Sequence, residues 1–252
     1  MKIVLVTGGS GGIGASVARQ CAAKGMGVIV TYNSHPESAL KVVKDIEASG
    51  GRACALPLDI SRTETFGAFR NTLLNLLSVT WGQDYIDVLI NNAGFGLFNP
   101  IEKVTESEFD SLFSVHLKGP FFLTQTLLSL ICDGGHIVNV TSATTRVATA
   151  GVAPYAAFKG GLEVLTRYMA KEFGPRRIRA NAVSPGAIRT SLGGGLKRLC
   201  SPHRPRWNAW ASRTISDGLL RAWFPMTASG LMHNPLRLPA ATKSEPFRRF
   251  YA

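Results

Sequence analysis

The fold is decided by Thr7-Gly8-Gly9-Ser10-Gly11-Gly12-Ile13-Gly14, which stands between an apolar β-branched run and an amphipathic helical pattern. Glycines in such a loop permit a tight turn and let a ligand approach the backbone closely. Backbone amides at the start of the following helix can then donate hydrogen bonds to a phosphate group. The stretch predicts a pyrophosphate site, and a loop that only packs closely against its neighbours is the alternative.

Outside this loop, short β-branched runs alternate with longer amphipathic stretches up to about residue 190. This alternation is typical of βαβ units and of a parallel sheet. The predicted strands span residues 3–7, 27–32, 53–58, 86–90, 136–141 and 179–183, and the helical patterns begin near Gly12, Pro36, Arg62, Glu102, Leu112 and Pro154. We therefore expect an α/β fold with a six-stranded, doubly wound parallel sheet, whose ligand site lies at the carboxyl ends of the strands.

Polar residues follow two further predicted strands at that same edge. Asp59-Ile60 comes after the third strand, and Asn91-Asn92-Ala93-Gly94 comes after the fourth. Because the carboxyl ends of parallel strands share one edge, these segments are expected to converge with the glycine loop on one ligand. Taken singly, Asp59 is more often a helix cap, and Asn91-Asn92 more often a turn.

A pair of residues on the last predicted helix suggests acid–base chemistry. Tyr155 and Lys159 are four residues apart and share one helix face, so their side chains can meet. A nearby ammonium favours the phenolate of a tyrosine, whose ordinary pKa of about 10 is too high for efficient proton exchange near neutrality. Ser142 ends the preceding strand, where its hydroxyl can hold a substrate oxygen. A core tyrosine, a solvated lysine and a strand-end cap are the alternatives.

Taken together and in this order, the motifs resemble the short-chain dehydrogenase/reductase family over roughly residues 1–191. They are TGxxxGxG at 7–14, NNAG at 91–94, Ser142, YxxxK at 155–159, and Pro185-Gly186 followed by Thr190. The resemblance implies a Rossmann fold and an NAD(P)-dependent oxidoreductase, 3-oxoacyl reductases among the candidates, that acts on a small-molecule carbonyl or alcohol.

Position by position, the resemblance also implies roles for individual residues. The residues implied to contact the cofactor are Thr7, Gly8, Ser10, Gly12, Ile13, Gly14, Asn33, Asp59, Ile60, Asn91, Ala93, Gly94, Tyr155, Lys159, Pro185, Gly186, Ile188 and Thr190. Asp59 is assigned to the adenine and Asn91 to the adenosine ribose region. Ile188 and Thr190 are assigned to the nicotinamide carboxamide.

The catalytic roles follow from the same resemblance. Tyr155 is the implied proton donor or acceptor, and Ser142 orients the carbonyl. Lys159 is implied to hold the nicotinamide ribose and to lower the tyrosine pKa. His116 stands where the family usually has an asparagine that supports a water chain to the lysine; a neutral imidazole also donates one hydrogen bond and accepts one. We assign His116 a supporting catalytic role, the alternative being a histidine that only holds the helix bend near Pro120.

The choice between NAD and NADP depends on the residues after the second strand. An acid there pairs with the ribose 2′-hydroxyl and repels a 2′-phosphate. This chain has Thr31-Tyr32-Asn33-Ser34-His35, with no acid before Glu37. We expect NADP(H) to be favoured, although Gly11 stands where many NADP-using relatives carry arginine.

Composition limits the class of protein. The 252 residues are 45% apolar and 17% charged, which suits one globular α/β domain and argues against disorder. The four cysteines lack CxxC or metal-ligand spacing, so free thiols are expected rather than disulfides or a metal site. The N-terminus resembles no signal peptide and no apolar stretch is long enough to span a membrane, so we expect a cytoplasmic protein.

Residues 192–252 depart from this pattern. Residues 196–252 carry ten Lys/Arg against two acids, six prolines fall after residue 200, and no period of 2 or 3.6 persists. The family's substrate-covering helix and its seventh strand are not recognisable there. We hypothesise that a frameshift near residue 195 replaced the family C-terminus and predict partial disorder beyond it. Single-stranded nucleic-acid binding by the arginines and aromatics is a less favoured interpretation.

Two further expectations concern assembly and activity. The predicted helices within 102–131 and 154–173 resemble those of the family's four-helix dimer contact, so a homodimer or tetramer is expected. Because the aberrant segment would remove substrate-covering elements, a cofactor-binding remnant with impaired catalysis is the alternative to an active enzyme.

Overall fold

The computed structural model describes residues 1–186. Its strands are β1 (Ile3–Val6), β2 (Gly27–Tyr32), β3 (Ala53–Pro57), β4 (Ile86–Asn91), β5 (Ile131–Val140) and β6 (Arg179–Val183). Its α-helices are α1 (Gly12–Ala23), α2 (Pro36–Ala48), α3 (Phe66–Trp81), α4 (Glu106–Phe113), α5 (Gly119–Leu127) and α6 (Ala153–Glu172).

The strands form one parallel sheet in the order β3-β2-β1-β4-β5-β6. The order reverses between β1 and β4, which is the point where a doubly wound fold opens a crevice for a ligand. This confirms the predicted α/β fold class and the six predicted strands. The glycine loop leaves β1 and the β4–α4 segment leaves β4 at this same crevice.

Two apolar layers cover the faces of the sheet, because alternate strand residues point to opposite sides. Ile3 and Leu5 face α3, α5 and α6, whereas Val4 and Val6 face α1 and α2. All four side chains are fully buried. Strands buried on both faces read as continuous apolar runs, which is why IVLV in β1 was recognisable from sequence.

Some predicted boundaries were wrong. β5 begins at Ile131, five residues before the predicted start, because Ile131 pairs with Ile86. The register then shifts before Val88 pairs with His136, so Cys132-Asp133-Gly134-Gly135 forms an irregularity inside the strand. The glycines in this bulge made the segment resemble a loop in the sequence.

Three predicted helix starts also need correction. The helix predicted near Arg62 begins at Phe66, after a 3₁₀ turn at Thr63–Thr65. The helix predicted near Glu102 begins at Glu106, because Thr105 and Glu108 form a reciprocal capping box. Leu112 starts no helix, since α4 continues there into a π-helical turn at Ser114–Lys118 that leads into α5.

The predictions for residues 192–252, including the missing seventh strand and the disorder, lie outside the described residues. Among the helices of residues 1–186, none combines the length and apolar character needed to cross a membrane.

Candidate active site

The glycine loop is pressed against the segment that follows β4. Gly8 has a φ of +62°, a conformation that favours glycine, and a Cβ there would lie 2.8 Å from Ala93 Cα. A Cβ on Gly14 would lie 2.5 Å from both the Asn92 side chain and the Gly8 carbonyl oxygen. The two glycines are therefore required by close packing, and this packing joins two of the predicted cofactor segments.

Side chains fix this junction. Thr7 Oγ1 accepts hydrogen bonds from the backbone amides of Asn92 (2.9 Å) and Ala93 (3.0 Å). Asn92 Nδ2 donates to the carbonyl oxygens of Thr7 (2.8 Å) and Gly8 (3.2 Å). Asn92 is not among the predicted cofactor residues, although its place in the NNAG motif is a usable signal. Thr7 and Asn92 hold the loop in place, and Thr7 is buried.

The start of α1 fits a pyrophosphate. Gly11 is the extended residue before the helix, and no side chain caps the helix start at this position. A Cβ on Gly11 would meet nothing within 4 Å. The first-turn amides of Gly12, Ile13 and Gly14 have no acceptor within the helix, and the helix dipole favours an anion here. Ser10 is half-buried beside them. Open space, free amides and positive potential coincide, so these residues suit the phosphate groups of a dinucleotide.

An open groove of about 800 Å³ lies between the segments that follow β2 and β3 on one side and α4 on the other. Asn33, Asp59 and Val115 are among the residues that line it. Asp59 Oδ1 accepts from the Ser61 amide (2.9 Å) and hydroxyl (2.6 Å), so this carboxylate caps a local turn as well as lining the groove. Ile60 is buried behind it. The groove has room for an adenosine.

Asn91 does not face this groove. Its Nδ2 donates to Thr124 Oγ1 (3.1 Å) and Asn139 Oδ1 (2.8 Å), and the residue is buried. The side chain thus links β4 to β5 and α5. The predicted contact of Asn91 with the adenosine ribose region remains a prediction.

The three predicted catalytic side chains come from β5 and α6. Ser142 follows β5, and its Oγ accepts from the Thr144 amide (3.2 Å) and hydroxyl (2.9 Å). Tyr155 lies in the first turn of α6, and Lys159 Nζ lies 5.8 Å from the centroid of its ring. The strand–turn–helix order predicted from sequence therefore brings Ser142, Tyr155 and Lys159 together.

Burial dominates the proton affinities of this group. It raises the pKa of Tyr155, and the Ser142 hydroxyl partly lowers it again. It also lowers the pKa of Lys159 from 10.5 to about 8. Lys159 Nζ donates to the Val140 carbonyl oxygen at 2.7 Å. This bond uses one of the three N–H donors of the ammonium group and holds the Lys159 side chain against the end of β5.

His116 sits in the π-helical turn and is almost fully buried. Its Nε2 lies 2.8 Å from the Phe95 carbonyl oxygen, which assigns the proton to Nε2. Nδ1 is left as an acceptor and has no partner among the described residues. Burial, followed by the charge of Lys159, holds the pKa of His116 well below 6.5, so the ring is neutral.

A continuous series of contacts leads through His116 to Tyr155. A Cβ on Gly94 would lie 2.7 Å from His116 Cε1, so the histidine packs directly on this glycine. The His116 and Tyr155 rings meet edge to face, with centroids 4.9 Å apart. Gly8 in turn packs on Ala93, so the glycine loop is connected to Tyr155 by packed contacts through the NNAG segment and His116.

The last predicted cofactor segment is only partly described. The Pro185 carbonyl oxygen accepts from the Ala143 amide at 2.9 Å, which places Pro185 and Gly186 beside the Ser142 turn. Ile188 and Thr190 lie outside the described residues. No group of three or more metal-ligating side chains occurs in residues 1–186.

The chain is similar to known proteins. A family model for short chain dehydrogenases matches residues 2–198. The chain is 37% identical over 189 residues to an uncharacterized oxidoreductase of Methylorubrum extorquens, covering 75% of this chain and 74% of the relative. It is 32% identical over 232 residues to a probable tetrahydroxynaphthalene reductase of Zymoseptoria tritici, covering 91% and 82%.

A solved structure gives the same result. The angucycline C-6 ketoreductase LanV, crystallised with bound NADP, superposes with a TM-score of 0.74 at 36% identity. The match covers 78% of this chain and 76% of LanV. With its six-stranded sheet and the matched residues 2–198, the chain belongs to the short-chain dehydrogenase family of oxidoreductases.

Proposed function

We propose that this chain transfers a hydride and a proton between NADP(H) and a carbonyl or alcohol group of a small molecule. The main support is that Ser142, Tyr155 and Lys159 lie close together beside the glycine loop, where the first-turn amides of α1 suit a pyrophosphate. A proton-transferring phenol next to a nucleotide groove is the arrangement that carbonyl reduction needs.

The bound nicotinamide would supply the hydride, and the protein supplies position and protons. In the reductive direction, Ser142 Oγ donates a hydrogen bond to the carbonyl oxygen and fixes it beside the Tyr155 hydroxyl. Tyr155 gives its proton to that oxygen as negative charge develops on it. In the oxidative direction the same phenolate removes the proton from the alcohol.

Lys159 supports Tyr155 electrostatically. Its charged form stabilises the phenolate that remains after proton transfer. Val140 occupies one ammonium donor, so two donors remain for a cofactor ribose and a proton relay. His116, neutral and with Nδ1 open, is suited to accept from such a relay.

We propose NADP(H) as the preferred cofactor. Asn33, Ser34 and His35 are all exposed after β2, and none is acidic, so a 2′-phosphate meets no repulsion there. LanV binds NADP and is similar to this chain, which supports the preference. Tighter binding of NADPH than of NADH is expected in direct titration.

The substrate class is proposed from relatives. LanV is a ketoreductase and the Zymoseptoria relative is a probable tetrahydroxynaphthalene reductase, so aromatic ketones of this kind form the first group to test. A 3-oxoacyl thioester forms the second group, as the alternative predicted from family resemblance.

We also propose that the chain forms a homodimer or tetramer through α4, α5 and α6. These helices leave large apolar side chains exposed: Phe109, Phe113, Phe121, Phe122, Val164 and Tyr168. Exposed large apolar side chains on packed helices are a common feature of interfaces. Light scattering should give a multiple of the chain mass, and Phe121→Glu should lower it.

A second candidate is a protein that binds cofactor without turnover. The observation that favours it is that the family model matches only to residue 198 of 252, although the alignment with the Zymoseptoria relative covers 91% of the chain. If a frameshift produced the remaining residues, another reading frame of the nucleotide sequence should encode a helix followed by an apolar strand and glycines. The absence of such a frame would remove the frameshift hypothesis.

One preparation tests both candidates. NADPH binding and carbonyl-dependent NADPH oxidation are measured on the same protein, with the aromatic ketones and the 3-oxoacyl thioester as substrates. We expect both binding and oxidation. Binding without oxidation of any substrate would contradict the proposed reductase and favour the second candidate.

A further inference from the structure

A carboxylate outside the predicted catalytic group lies on the same helix face. Glu163 follows Lys159 by four residues, as Lys159 follows Tyr155, so the three side chains line one side of α6. The Glu163 side chain is only 17% exposed. A carboxylate so nearly buried needs donors around it.

Three hydroxyls and a guanidinium surround a single oxygen of this carboxylate. The hydroxyls of Thr141 (3.1 Å), Thr145 (3.0 Å) and Ser184 (2.7 Å) lie within hydrogen-bonding distance of Glu163 Oε1. The Arg146 guanidinium lies 3.6 Å from the same oxygen. Each hydroxyl has a single proton to donate, and two of them have a second acceptor in reach: the Val183 carbonyl oxygen for Thr141 (3.1 Å) and the Ser142 carbonyl oxygen for Thr145 (2.9 Å).

These donors belong to two segments that carry site residues. Thr141 and Thr145 flank Ser142 in the turn after β5, and Ser184 follows β6 immediately before Pro185. The two segments also contact each other, since Thr141 Oγ1 lies 2.6 Å from Ser184 Oγ. One oxygen thus joins the Ser142 turn, the Pro185 segment and the helix that presents the phenol and the ammonium.

We propose that Glu163 is a positioning residue that holds Ser142 in register with Tyr155. It touches none of the reacting groups and acts through the threonines on either side of Ser142. This inference rests on the proposed function, because Ser142 and Tyr155 matter jointly only in an enzyme that moves a proton. Without the carboxylate, the hydroxyls and the guanidinium around it lose the acceptor they share and turn to other partners, so the Ser142 turn shifts.

A shift of Ser142 has a consequence that can be measured. The Ser142 hydroxyl lowers the pKa of Tyr155. The other titratable side chains against Tyr155 in residues 1–186 are His116 and Lys159, and neither bonds Glu163. Alcohol oxidation requires the phenolate, so its rate rises as pH passes the Tyr155 pKa. Loss of the Ser142 contact raises that pKa and moves the midpoint to higher pH.

The experiment compares Glu163→Ala, Glu163→Gln and the matched control Glu172→Ala, which removes an exposed glutamate from the same helix. Glutamine keeps an acceptor oxygen at the same place. For Glu163→Ala we expect kcat to fall about 10- to 100-fold, because Ser142 is displaced from the substrate carbonyl. The NADPH affinity should stay within about threefold of that of the wild type. We expect the oxidation midpoint to rise, Glu163→Gln to restore most of the rate, and Glu172→Ala to match the wild type.

Two results would overturn the positioning role. One is a Glu163→Ala variant with wild-type kcat and an unmoved midpoint. The other is a variant that loses folding and NADPH binding together with activity, without rescue by glutamine, which indicates a merely structural residue.

Hydrogen exchange separates this inference from the proposed function. If the wild type does not turn over, the proposed function fails and the proposal for Glu163 is decided by amide exchange at 143–147. Faster exchange in Glu163→Ala but not in Glu172→Ala supports the role in holding the turn, and unchanged exchange contradicts it.

Discussion

The two halves of the ligand edge are built differently. In the nucleotide half, around β1 and β4, glycines and backbone groups make the contacts: Gly8 packs on Ala93, and Thr7 and Asn92 bond main-chain atoms. In the catalytic half, around β5 and α6, ionisable side chains make them, including a buried lysine and a carboxylate with several donors. The first half depends on shape, whereas the second depends on charge and protonation.

This difference predicts different responses to substitution. Changes in the nucleotide half should lower stability and cofactor affinity together. Changes in the catalytic half should lower turnover and, except at Lys159, which is proposed to hold the cofactor ribose, leave cofactor affinity nearly unchanged. Removal of the buried Lys159 charge should even stabilise the fold.

The largest effect is expected for Lys159→Met, which removes the charge beside Tyr155. Turnover should fall by about 10²- to 10⁴-fold, the range that acid–base groups contribute. The folded pKa of about 8 against 10.5 means that the buried ammonium opposes folding at neutral pH. Methionine should therefore stabilise the protein at pH 7 by about 1–3 kcal/mol, after allowance for the bond to Val140 that it loses.

The pH dependence of that stability difference has a definite sign. Below about pH 8 the wild-type lysine is charged in both states, and the cost is fully present. Between about 8 and 10.5 the folded state has released the proton while the unfolded state still binds it, so wild-type stability rises relative to the variant. Urea unfolding at several pH values checks this, and a less stable variant at pH 7 would contradict it.

In the nucleotide half, Gly8→Ala should act on binding and stability at once. A side chain at φ +62° facing Ala93 Cα at 2.8 Å is strained and should cost about 1–3 kcal/mol. NADPH affinity should fall about tenfold or more, because the loop that shapes the pyrophosphate site shifts.

Gly11→Ala is the matched control for Gly8→Ala in the same loop. Its added Cβ meets nothing within 4 Å and its backbone is extended, so the free energy of unfolding should change by less than about 0.5 kcal/mol. Equal destabilisation by the two substitutions would show that close packing on Ala93 is not what selects glycine.

Apart from the control Gly11→Ala, His116→Ala should have the smallest effect of these substitutions. We expect kcat to fall about 10-fold, at the low end for a group assisting proton transfer, with NADPH affinity within about threefold. Because burial keeps the imidazole neutral, the wild-type pH–rate profile should show no histidine transition near its ordinary pKa of about 6.5. Unchanged turnover in His116→Ala would remove His116 from the mechanism.

The nucleotide half was easier to predict from the sequence than the catalytic half. Apolar runs such as IVLV and the glycine loop are local patterns, so the six strands and the nucleotide half were recognisable. The start of β5 was not, because a bulge with two glycines resembles a loop. Glu163 was missed because its partners, Thr141 and Ser184, are distant in sequence and meet only in the folded protein. Its i+4 spacing from Lys159 was the one local signal.

The role of Tyr155 is tested by a single-turnover reaction of Tyr155→Phe loaded with saturating NADPH, beside the wild type. We expect the variant to bind NADPH within about threefold of wild type and its reduction step to be slower by at least about 100-fold. A loaded variant that reduces the carbonyl at a rate close to that of the wild type would contradict the assignment of Tyr155 as the proton donor.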